Sequence, residues 1–258
     1  MVVTSAGAYP TFNYHVNGYG GNVVSVPYNG YHEDPVALVA KAAEVDAKLI
    51  YLANPDNPMG TVHDGATIQA AIDAVPNGSL LVLDEAYAEF APTGSAPSFD
   101  VSDPRVIRMR TFSKAYGLVG IRIGYGIAHC DLIQSFNKVR NHFGLHRSGQ
   151  IGALAALRDQ EYLTQTVAKV AASREQIAAI AAENGLQAMT CATNFVTIDS
   201  GGDSVFAKSL LSEMLSRDVF IRMPFHPTQN HCIRVSAGDE KDIELFGDAL
   251  SESLKIIR

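Results

Sequence analysis

Leu49-Ile50-Tyr51-Leu52-Ala53 runs straight into Asn54-Pro55-Asp56-Asn57-Pro58-Met59-Gly60, and Leu80-Leu81-Val82-Leu83 runs straight into Asp84-Glu85-Ala86-Tyr87. A helical pattern extends between them from about His63 to Val75. Continuous apolar strands separated by helices predict a mostly parallel sheet covered on both faces, an α/β fold.

The pattern repeats on either side. Val23–Val26 reads as a short strand, and Asp34–Lys48 as a helix with Asp34 as N-cap and Pro35 in first position. Val106–Met109 and Arg122–Ile127 complete the strands of this half. The texture changes near Asn141–Gly149. From Gln150 to about Asn184 the chain is Ala-rich and helical, closed by Gly185. Strands follow at Phe195–Ile198, Val219–Arg222 and Cys232–Ser236, with helices at Val205–Arg217 and from about Glu240. The expected organisation is a large domain over 1–145, then a long connecting helix and a smaller C-terminal α/β domain over 146–258.

Bulk properties narrow the function classes. The 258 residues carry a net charge of −7 without clustered Lys and Arg, which excludes a nucleic-acid surface. The opening MVVTSAGAYPTF has neither a basic nor an apolar run, and the longest apolar stretches fall short of the roughly 20 residues of a membrane span. A cytoplasmic protein without a membrane partner is expected. Cys130, Cys191 and Cys232 are widely spaced and form no CxxC pair, so reduced, buried thiols and no metal site are expected.

In open α/β sheets ligands gather at the carboxyl ends of strands. Four motifs lie at or beside such ends: Asn54–Gly60, Asp84–Tyr87, Thr111-Phe112-Ser113-Lys114-Ala115-Tyr116-Gly117, and Gly120-Ile121-Arg122-Ile123-Gly124-Tyr125. Singly they read as a turn, a helix cap, a solvent-facing Ser-Lys turn and a surface arginine on a strand edge. Jointly they supply the parts of one chemistry. Lys114 suits a Schiff-base amine, and Ser113 with Arg122 an anchored phosphate. Asp84 suits the carboxylate that keeps a pyridine nitrogen protonated, and Asn57 and Tyr87 suit donors to a ring oxygen.

The chain resembles the class I/II, fold-type I aminotransferases that use pyridoxal 5′-phosphate (PLP), and among them the histidinol-phosphate aminotransferase branch. NPDNPMG resembles the NPNNPTG of that branch, DEAYAEF its DEAYxEF, and TFSKAYGLVGIRIGY its lysine segment. Tyr9-Pro10-Thr11-Phe12 and Cys232-Ile233-Arg234-Val235-Ser236 resemble its early and late elements.

By that resemblance Lys114 tethers the cofactor and moves a proton at the substrate Cα. Asp84 pairs with the ring nitrogen, and Tyr87 and Asn57 bond the ring oxygen. Thr111, Ser113 and Arg122 hold the phosphate, and Phe12 stacks on the ring. Arg234 grips a substrate carboxylate, with Arg222 as a second anionic contact. The implied reaction moves an amino group from an amino acid or histidinol phosphate to 2-oxoglutarate, in histidine biosynthesis, in a homodimer. Decarboxylation or elimination on the same fold, and a non-catalytic descendant, are the alternatives.

Three departures stand out. Met59 replaces the usual Thr, which implies a packing change. Arg147, in His142-Phe143-Gly144-Leu145-His146-Arg147, belongs to an unusual cluster where the domains meet, which reads as a solvated loop, with a specificity element as the alternative. The resemblance also implies a further N-terminal segment of ~100 residues, the size of a small domain. It would contain a Gly-rich phosphate loop, so the 258-residue form is expected to retain PLP weakly and to self-associate.

Overall fold

The computed structural model describes residues 1–258. In chain order the elements are β1 (Val2–Ser5), α1 (Thr11–Gly18), β2 (Val23–Val26), α2 (Pro35–Glu44), β3 (Leu49–Ala53), α3 (Gly65–Asp73), β4 (Leu80–Asp84), β5 (Val106–Thr111) and β6 (Gly124–Ala128). They continue with α4 (Cys130–Phe136), α5 (Arg147–Arg158), α6 (Gln160–Glu183), β7 (Gln187–Ala188), β8 (Phe195–Asp199), α7 (Ser204–Leu215), β9 (Cys232–Ser236) and α8 (Glu240–Ile257).

The first sheet has the order β2-β1-β3-β4-β5-β6. Its first five strands are parallel, and β6 closes the edge antiparallel to β5. Successive side chains on a strand face opposite ways. Ile50 and Leu52 of β3, with Leu81 and Leu83 of β4, therefore join α2 and α3 in one core that includes Leu38, Ile68 and Ile72. Tyr51 and Ala53 emerge on the other face with Val82. Asp84, two residues beyond Val82, ends on that same face. The strand order reverses direction between β1 and β3, the crevice where such sheets take ligands.

The second sheet, β7-β8-β9, is antiparallel. Its core joins Val196, Ile198 and Ile233 to Ile177 of α6, Leu210 and Met214 of α7, and Phe246 and Leu250 of α8. Met59 is fully buried and packs on Met189 and Cys232, carrying the Asn54–Gly60 turn onto this sheet. No helix is long and apolar enough to cross a membrane.

Several local expectations are corrected. Arg122 does not open a strand: it sits at φ 56° after a 3₁₀ turn over Val119–Ile121, and β6 starts at Gly124. This left-handed turn folds its guanidinium back to donate to the Val119 carbonyl at 2.9 Å. The Ala-rich stretch is two helices, because Asp159 leaves helical geometry and caps α6 through the Tyr162 amide at 3.0 Å. Val219–Arg222 is no strand: the chain leaves α7 through Asp218 at φ 60° and pairs with β9 only where Arg222 meets Arg234. Pro224, without an N–H, cannot extend that pairing. Cys130 is exposed at the start of α4 rather than buried. His142–Arg147 is exposed, with His146 capping α5 and Arg147 as its first residue.

Candidate active site

A cavity of about 370 Å³ opens where the carboxyl ends of β3, β4 and β5 meet the segment after β1. Its lining includes Asn57, Asp84, Tyr87, Thr111, Ser113, Lys114 and Arg122, so seven residues predicted from the sequence converge there. A separate groove of about 230 Å³ lies between β9, α8 and Val219–Ile221, and no cation or thiol lines it.

Asp84 ends β4 with its two oxygens held. Tyr51 donates to Oδ2 at 2.7 Å, and the Ala86 amide donates to Oδ1 at 3.0 Å. Burial pushes its carboxyl above the usual range, while those two donors and Lys114 pull it back down. No cation lies within ion-pair distance of it.

Lys114 follows β5 in the tight Ser113–Gly117 turn. Burial lowers its ammonium below the ordinary lysine range, with Tyr9 acting against this and Arg234 with it. Its Nζ stands 5.2 Å from the centre of the Tyr87 ring. Tyr87 is 5% exposed, packs edge-on against Phe195 at 5.6 Å, and is pushed by burial up to about 12. It stays a neutral phenol.

Asn57 bridges the two sheets. Its Nδ2 donates to Tyr87 at 3.2 Å, and its Oδ1 accepts from Arg234 of β9. Arg234 also lies 4.7 Å from the Phe195 ring centre, and burial lowers its guanidinium below the ordinary arginine range. At the opposite end Ser113 accepts from Arg122 at 3.5 Å, and the Ser113 amide donates to Thr111 at 3.0 Å. Two hydroxyls and a guanidinium thus gather where β5 ends, a donor set suited to an oxyanion.

Three predicted residues stand back from the lining. Phe12 stacks on Tyr51, with ring centres 4.5 Å apart. Arg234 reaches the cavity wall through Asn57. Arg222 is exposed, 5.5 Å from the Phe220 ring centre, and joined to Arg234 through backbone bonds.

Tyr51, Tyr9 and Arg110 line the cavity without having been singled out as site residues. Tyr51 left one signal, the only polar tip in LIYLA. Arg110 is tied to Glu85, the second acid of Asp84–Tyr87, at 2.9 Å.

Residues 1–250 match the family Aminotransferase class I and II. Histidinol-phosphate aminotransferase of Roseiflexus castenholzii is 36% identical over 238 residues, which cover 91% of this chain and 63% of that protein. The chain thus spans less than two thirds of that relative's length. The crystal structure of histidinol-phosphate aminotransferase from Sinorhizobium meliloti, in complex with pyridoxal-5′-phosphate, superposes with a TM-score of 0.97 at 46% identity. It is matched over 100% of this chain and 71% of that one. The L-threonine-O-3-phosphate decarboxylase of Porphyromonas gingivalis shares the fold alone, with a TM-score of 0.80 at 20% identity over 98% of this chain and 77% of that one. The fold is fold-type I, and the chain belongs to the class I and II aminotransferase family.

Proposed function

We propose that this chain carries the PLP site of an aminotransferase that moves an amino group from histidinol phosphate to 2-oxoglutarate. The convergence of Lys114, Asp84, Tyr87 and the Ser113–Arg122 pair on one cavity carries the reading. The cavity volume falls within the roughly 300–1,000 Å³ of small-molecule sites. Asp84 is an acid held by two donors yet lacking a counter-charge, which suits a pyridinium N–H. Lys114 is biased by its burial towards the neutral amine that a covalent tether requires.

When bound, the cofactor supplies an electron-poor ring that takes up the electron pair left at the substrate Cα as its proton departs. Asp84 would keep a proton at the ring nitrogen. Tyr87 and Asn57 would bond the ring oxygen, and Thr111, Ser113 and Arg122 would hold the phosphate. Lys114 would take the Cα proton and return it to the cofactor carbon two atoms away, across the amino nitrogen, because burial brings its basicity towards the working pH. Arg234 would orient an anionic group of the substrate, with Arg222 beside it. Phe12 is assigned the ring face on family resemblance alone.

The reading includes a division into domains at residues 145 and 146, cytoplasmic location and a homodimer. Exposed Val139, Phe143, Leu145, Ile151 and Leu154 support the dimer as a surface for a second copy. The test is to load the purified protein with PLP, reduce with borohydride and map the labelled peptide. The label is expected on Lys114, together with 2-oxoglutarate-dependent consumption of histidinol phosphate. A label on another lysine overturns the site. Release of phosphate from histidinol phosphate without amino transfer overturns the reaction.

A further inference from the structure

Glu33, just before α2, and Asp56, within the Asn54–Gly60 turn, are two acids with no part in that reaction, buried at 1% and 2% exposure. Every one of their carboxylate oxygens accepts from a neutral donor. Glu33 takes the Ser5 hydroxyl at 2.6 Å and the Ala53 amide at 3.1 Å. Asp56 takes the Tyr28 hydroxyl and the Met59 amide, each at 3.1 Å. No lysine, arginine or histidine lies within ion-pair distance of either acid.

Two neighbouring carboxylates without a cation cannot both remain ionised in such surroundings. Burial first, and then the charge of Asp56, pushes Glu33 well above the carboxylate range. Burial pushes Asp56 up to about 6.

The surrounding groups do not supply the missing charge. Tyr28 and Tyr51 are held as phenols by burial and by the nearby acids. His63 bonds the Glu33 carbonyl through Nε2 at 2.8 Å, not its carboxylate, and His32 packs on His63. Asp84 approaches through Tyr51. Cys191, between β7 and β8, and Arg234 of β9 sense the Asp56 charge at longer range.

That second sheet grips the same turn from the other side. Thr197 donates to the Pro58 carbonyl and the Ala192 amide to the Gly60 carbonyl, both at 2.8 Å, while Arg234 donates to Asn57. The turn is thus held on one side through its own Asp56 and on the other by β8–β9.

We propose that Glu33 and Asp56 share one proton at neutral pH, and that this proton positions Asn57 by holding the Asn54–Gly60 turn against the second sheet. Neither acid lines the cavity, so both are positioning residues. The sign of the pH effect follows. The unfolded chain releases both protons by about pH 5, whereas the folded pair keeps one. Folding takes up a proton, so this stability is present at low pH and falls as pH rises through the folded values.

The test is urea unfolding of the cofactor-free chain from pH 5 to 8, for the wild type, Glu33→Gln and Asp56→Asn. Either amide can donate to the remaining acid and replace the shared proton. The wild-type unfolding constant should climb more steeply with pH than either variant's, by up to about tenfold per pH unit. Carboxyl ¹³C resonances need no variant: at least one of the two acids should titrate above pH 6. The Asn57 side-chain amide should follow the same midpoint in the wild type and lose that midpoint in Glu33→Gln. Equal pH slopes, both carboxyls titrating near 4, or an Asn57 signal indifferent to the pair each overturn the proposal. None of these readouts uses turnover, so their failure is separate from failure of the aminotransferase reading.

Discussion

Replacing Glu85 by Gln removes the charge of the carboxylate shared by two guanidinium groups, Arg108 behind the cavity and Arg110 in its wall. Glu85 is 2% exposed and accepts from Arg108 Nε at 3.0 Å, from Arg108 Nη2, and from Arg110 Nε at 2.9 Å. Arg108 is 5% exposed, donates to the Pro97 carbonyl at 3.1 Å and lies 3.9 Å over the Phe99 ring. It therefore has no route to water. Glutamine still accepts one N–H, but it leaves two facing cations without an anion. Breaking a buried pair from one side costs about 3–5 kcal/mol, and the retained contact argues for the lower end. That is a large share of the ~5–15 kcal/mol that separates folded from unfolded domains.

The assay is urea unfolding followed by circular dichroism. With an m-value of about 3 kcal/mol/M, a loss of ~3 kcal/mol moves the midpoint down by about 1 M. Adding Arg108→Met removes the stranded cation while keeping an unbranched side chain under Phe99, so the double variant should be no less stable than Glu85→Gln alone. A midpoint shift below about 0.2 M, or two losses that simply add, would refute the claim that charge balance holds β5 in place.

Three further outcomes test the site. Lys114→Ala should abolish turnover and borohydride-trapped label together, because tether and proton carrier are the same nitrogen. Asp84→Asn can keep a contact to Tyr51 but loses the charge at the ring nitrogen; kcat should fall ~10²-fold or more with the fold intact, and wild-type turnover would contradict the pairing. Arg234→Ala should raise KM for substrates bearing a carboxylate or phosphate by about two orders of magnitude. An equal loss for neutral amines would show that its contact to Asn57, not substrate charge, is what matters.

What could be read from the sequence follows a physical line. The strands β3, β4 and β9 and the start of α2 are local events: apolar runs ended by polar residues, and Asp34 accepting from the Ala37 amide at 2.9 Å. β1 hides because Thr4 and Ser5, both 0% exposed, look polar. α1 buries no residue, so it carries no periodic signal. Arg122 and Asp218 turn at positive φ where no glycine announces it. The site divides along the same line. Lys114 and Asp84 are legible because parallel strands deliver their last residues to one edge, whatever the register. Their partners are not, because they depend on register: Tyr51 meets Asp84 only because β3 and β4 align Ala53 with Asp84 and Tyr51 with Val82. Glu33 and Asp56 lie further still from sequence reasoning. An acid before a helix and an acid in a proline turn each look solvated until the fold buries both. The residues that would do the chemistry are thus written at strand ends, whereas those that set their charge emerge only from how the strands pair.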